Sequence, residues 1–60
     1  MKTVAVYNIK GKEVEVVECG SEPDLYYDVY VDGLHLNAGE PWHENGEGVP
    51  SSNEIEGVLE

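Results

Sequence analysis

The chain has 60 residues, with 13 Asp or Glu against three Lys and no Arg, for a formal charge of −10. That length allows one domain, residues 1–60, with a small core; the single Cys19 excludes an intramolecular disulfide framework, and no apolar run reaches the roughly 18 residues of a bilayer span. Asn8 and Lys10 interrupt any signal-peptide stretch after Met1, so the pattern predicts a cytoplasmic product of a reducing compartment.

Thr3 to Ile9 is β-branched or apolar and predicts a first strand, with Lys10-Gly11-Lys12 as its reversing turn. In the returning strand, Glu13-Val14-Glu15-Val16 alternates, placing the valines on one face and the glutamates on the other. Val17 breaks the alternation and marks either a bulge or a two-sided contact. The register stays open at this level. A two-residue turn opposes Tyr7 to Val14 or Val16, whereas a three-residue turn opposes Val6 to Val16, and each buries a different set.

Gly20 to Asp24 is a break, bracketed by Gly20 and Pro23. Leu25 to Val31 then alternates, with Leu25, Tyr27, Val29 and Val31 on one face and Tyr26, Asp28 and Tyr30 on the other. Asp32-Gly33 supplies a type I′ turn, which needs positive φ at both central residues. The resulting two-residue loop pairs Val31 with Leu34 and Val29 with Leu36, apolar opposite apolar, and sets Tyr30 opposite His35.

Asn37 to Pro50 holds three Gly and two Pro and reads as a loop, with Trp42 closing one end of the core. Ser51-Ser52-Asn53-Glu54 matches a capping box, and Ile55, Val58 and Leu59 form one apolar stripe on a short helix that must dock to persist. The two hairpins read with different turns and spacings, so no internal repeat is assigned. The predicted fold class is α+β: a small antiparallel sheet of two β-hairpins, about four strands, with a short C-terminal helix. A small rolled barrel in which the helix plays no structural part is the alternative.

All three lysines, Lys2, Lys10 and Lys12, precede all thirteen acids, which run from Glu13 to Glu60. Direct binding to nucleic acid or to an anionic membrane is disfavoured, because both need Lys or Arg to meet phosphate; a basic protein partner is favoured. No cofactor is expected. For metal, His35, His43, Glu44 and Cys19 are the candidate ligands, but no C-x₂-C, H-x₃-H or H-E-x-x-H spacing joins them, so none is assigned. The acids lack the EF-hand order. Catalysis is not expected either: Cys19 has no helix N-terminus or nearby cation to lower its pKa, and a chain this short offers little volume for a cleft that splits two carboxylate pKa values.

Tyr26, Asp28 and Tyr30 in line on one strand, with His35 opposite Tyr30 and Asp32 at the turn, suit a protein-binding face. Tyrosine gives contact area at low entropic cost, and carboxylates select Lys or Arg. In size and charge the chain resembles the small acidic inhibitors that phages and mobile elements encode against host defence, the anti-CRISPR and anti-restriction proteins. That resemblance implies a mimic of nucleic-acid charge that occupies a basic groove. Its carriers here would be Glu13, Glu15 and Glu18 on the second strand, Asp28 and Asp32 on and after the third, and Glu40, Glu44 and Glu47 in the loop. Alternate strand residues lie roughly 6.8 Å apart on one face, close to the spacing of phosphates along a DNA strand, so Glu13 with Glu15 and Asp28 with Asp32 would form phosphate-like rows. The alternative function is a small structural or assembly module that pairs or dimerises through a sheet edge or the Tyr26/Tyr30 face.

Overall fold

The computed structural model describes residues 2–21, 23–36, 42–43 and 48–59. Strand β1 (Lys2–Ile9) pairs antiparallel with β2 (Lys12–Cys19), β2 with β3 (Tyr26–Val31), and β3 with β4 (Leu34–His35), giving one four-stranded sheet in sequence order. A single helix, α1 (Ser52–Leu59), follows.

The first turn is the two-residue form, with Ile9 opposite Lys12 and Tyr7 opposite Val14. Lys10 and Gly11 both take positive φ, 53° and 78°, as do Asp32 and Gly33 at 49° and 84°. The two hairpins therefore share one turn type, against the expectation of different turns, because both loops must match the right-handed twist of their strands. Val17 is not bulged. The irregularity lies in β1 between Thr3 and Ala5, where Val4 is the extra residue, and both Val4 and Ala5 pack against the core.

The second hairpin takes the expected register, Val31 with Leu34 and Tyr30 with His35, and the Leu36 N–H donates to the Val29 carbonyl at 2.8 Å. β4 covers only one half of the β3 edge. Trp42 covers part of the other half, exchanging two backbone hydrogen bonds of 3.0 Å with Tyr27. Its half-buried ring packs against the core, as a plug at one end requires.

Register and alternation put Ala5, Tyr7 and Ile9 beside Val14, Val16, Tyr27, Val29 and Val31 on one face. Ile55 of α1 is fully buried against that face, so the helix is part of the core and the sheet is open rather than rolled into a barrel. The helix start is fixed twice. In the capping box the Glu54 N–H donates to Ser51 Oγ at 3.3 Å and the Ser51 N–H to Glu54 Oε1 at 3.2 Å. Just before it, the Tyr7 hydroxyl donates to the carbonyl of the fully buried Pro50 at 2.9 Å. The expected three-residue stripe is narrower in fact: Ile55 and Leu59 face the sheet, whereas Val58 is 55% exposed. No helix among the described residues is long and apolar enough to cross a membrane.

Candidate protein-binding face

Because α1 packs on one side of the sheet, the opposite side is the face it leaves uncovered. Its side chains fall in rungs set by the registers. Asn8 lies beside Glu13; Val6, Glu15, Tyr30 and His35 form the next row; Thr3, Val17 and Asp28 follow; Cys19 and Tyr26 come last. Of the residues expected on a partner-binding surface, Glu13, Glu15, Tyr26, Asp28, Tyr30 and His35 thus share one face, with Asp32 at its turn end. Glu18 does not join them. It stands opposite Lys2 and Tyr27 and alternates to the helix side of the sheet, because it lies an odd number of residues from Glu13 and Glu15 along the strand. Glu40, Glu44 and Glu47 lie outside the described residues.

These carboxylates are not equivalent. Asp28 is engaged on both oxygens: His35 Nε2 lies 3.3 Å from Oδ1, and Cys19 Sγ donates to Oδ2 at 3.4 Å. Its side chain is only 19% exposed. Asp32 Oδ1 accepts the Glu13 N–H at 3.0 Å, and its own N–H returns a bond to the Glu13 carbonyl at 2.8 Å, so it locks the turn to β2. Glu15 accepts the Thr3 hydroxyl at 2.6 Å through Oε2. The side chains of Glu13 and Glu15 are therefore the better placed of the face's carboxylates to meet a partner. Asp28 is enclosed and engaged on both oxygens, whereas Asp32 is exposed and also ties the turn to β2.

The aromatic part is also held in place. Tyr30 and His35 rings lie 5.1 Å apart, tilted by 50°, and the contact between His35 and Asp28 fixes the imidazole beside the phenol. Val17 and Cys19 are both buried on this side, which gives the face a partly apolar floor. Alternation alone places Val17 there; its burial was not legible, because it depends on Thr3 and Asp28 arriving from neighbouring strands.

Cys19, Asp28 and His35 come together without forming a nucleophile and base. The carboxylate lies between thiol and imidazole in the bonding order, and burial first, then the bond to Asp28, pushes the Cys19 thiol above its ordinary value of 9.0. Among the described residues no three His, Cys, Asp or Glu side chains are arranged to hold a metal ion. Of the remaining candidate ligands, Glu44 lies outside the described residues, and His43 is bonded within the fold: its Nδ1 is 2.9 Å from the Gly48 carbonyl and its Nε2 is 2.6 Å from Glu54 Oε2.

That His43 contact was invisible in the sequence, since it spans eleven residues and follows no local pattern. The two ring nitrogens of His43 thus face the Gly48 carbonyl on one side and the Glu54 carboxylate on the other. The bond from His43, then the Ser51 backbone N–H, hold the Glu54 carboxyl below its ordinary 4.5. A lowered folded-state pKa contributes stability above the unfolded value and loses it as pH falls through the folded one. The stability difference between the native chain and His43→Gln, from thermal melts across pH, is accordingly expected to narrow as pH drops below about 4.5. A difference that stays constant through that range would detach Glu54 from His43.

A scan against protein-family models and searches of curated proteins and of solved structures found no match.

Proposed function

We propose that the chain is a small acidic protein-binding inhibitor that occupies a basic, nucleic-acid-binding surface of a host-defence or nucleic-acid-handling protein, as anti-CRISPR and anti-restriction proteins do. The observation that carries this reading is the uncovered sheet face, on which Glu13 and Glu15 stand in line on β2 beside Tyr30, in a chain with no Lys or Arg after Lys12. Two such glutamates lie roughly 6.8 Å apart on one strand face. A basic groove built for phosphates would meet both charges on a surface held in place by strand pairing on either side of β2. Nothing in this role requires a reaction, so the reading is that of a binder and not an enzyme.

The test is capture with tagged protein from bacterial lysate at low and high salt, with competing DNA or RNA. A nucleic-acid-handling protein that is retained at low salt and released by both salt and nucleic acid is the expected result. Partners indifferent to both treatments would reduce the charge to a solubility feature.

One observation favours a second reading, assembly through a sheet edge. β1 is an eight-residue edge strand, it carries no acid, and Val6 on it is 61% exposed. Two features oppose it: Lys2 and Lys10 flank the edge, and the irregularity at Val4 bends the backbone away from straight pairing. Self-association with little salt dependence in sedimentation would favour this reading over inhibition.

A further inference from the structure

The uncovered face is not flat throughout. Lys2, Thr3, Glu15, Val17, Tyr30 and Gly33 line an open groove of about 410 Å³. By register Val17 is its apolar floor, with Tyr30 and Gly33 to one side and Thr3 to the other; Lys2 borders it at the start of β1. Glu15 sits between them with its carboxylate oriented by the Thr3 hydroxyl. A purely apolar occupant would bury that carboxylate without a counter-charge, and an anion would be repelled by it. The groove therefore calls for an occupant with an apolar stem and a cationic end.

We infer that this groove receives an arginine side chain projecting from the basic partner. The inference rests on the acidic-inhibitor reading above and names the chemistry of its contact. Arginine fits better than lysine for a physical reason. A guanidinium is planar, so it can lie on the Tyr30 ring while offering paired N–H groups to Glu15, whereas an ammonium is a compact, strongly hydrated charge that does neither as well. The methylene stem covers Val17. One oxygen of Glu15 already accepts from Thr3, which leaves Oε1 and the remaining capacity of Oε2 for the guanidinium. Tyr30 is in turn held from behind by its contact with His35, so the ring need not be ordered when the arginine arrives.

These assignments give the groove a pattern of effects that general attraction to a −10 chain does not. The experiment is a titration of the isotope-labelled full chain with N-acetyl-arginine amide and N-acetyl-lysine amide, followed by backbone amide shifts. Saturable shifts at Thr3, Glu15, Val17, Tyr30 and Gly33 are expected, with the arginine compound binding several-fold more tightly than the lysine compound. Glu15→Gln should weaken arginine binding about tenfold, the value of a charge-assisted hydrogen bond, and Tyr30→Leu should weaken it several-fold. Glu56→Gln, on α1 and off the groove, should leave it within about twofold. Amide dispersion in each variant's spectrum shows that it is folded. Shifts spread over all acidic positions without saturation, or equal losses from Glu15→Gln and Glu56→Gln, would overturn the groove. In that event a partner still released by salt and nucleic acid would leave the inhibitor reading standing. Saturation at the groove with no such partner captured would do the reverse.

Discussion

Ile55→Ala is expected to remove about 2–5 kcal/mol of stability, the range for deleting a buried isoleucine and leaving its cavity. Ile55 is fully buried between α1 and the sheet, and it is the only fully buried side chain that the helix contributes among the described residues. A chain of 60 residues has roughly 3–9 kcal/mol in total. Mutual repulsion of thirteen acids, with three lysines to offset them, draws that total down further. The variant should therefore lose much of its cooperative unfolding transition in urea, followed by circular dichroism and by Trp42 fluorescence. Val58→Ala on the same helix is the control, since Val58 is 55% exposed and its truncation should cost less than about 0.5 kcal/mol. Equal transitions for the two variants would mean that α1 is not part of the core.

The second hairpin was legible because two independent signals agree on it. Asp32-Gly33 demands a two-residue loop, and that loop pairs Val31 with Leu34, apolar against apolar. At the first hairpin the local signals are silent, since Gly11 serves a two- or three-residue loop equally well. What decides there is the whole face. The two-residue form buries Ile9 and half-buries Tyr7 beside Val14, and it leaves Val6 61% exposed on the other side; the longer loop would exchange those roles. Val4 then reaches the core only because an extra residue enters β1, which no alternation in the sequence reveals. The candidate face shows the same division. Alternation placed Tyr26, Asp28 and Tyr30 together, and the same rule excludes Glu18 from the row of Glu13 and Glu15. Which carboxylates remain open is a question of cross-strand neighbours: Asp28 meets Cys19 from β2 and His35 from β4, and Asp32 meets the Glu13 N–H.

That division redirects the charge-reversal test for the proposed inhibitor. Reversing Asp28 would strand His35 and the Cys19 thiol, and reversing Asp32 would unpair the Glu13 N–H, so lost binding in either variant would not separate interface from fold. Glu13 and Glu15 carry the test instead. Glu13 is exposed, and Glu15 gives up only an exposed bond from the Thr3 hydroxyl. Toward a basic partner recovered by salt-sensitive capture, Glu13→Lys with Glu15→Lys is expected to slow association by about one to two orders of magnitude at low salt. The deficit should shrink as salt rises, because screening removes the long-range attraction that native protein enjoys and the variant lacks. The matched control is Asp24→Lys with Glu56→Lys, which changes the net charge equally but lies in the turn before β3 and on α1, off the face. If the uncovered face is the interface, the face pair must lose more than the control pair, since only the face pair places lysines directly against the partner's cations. Equal losses would leave general steering by net charge and remove Glu13 and Glu15 from the contact.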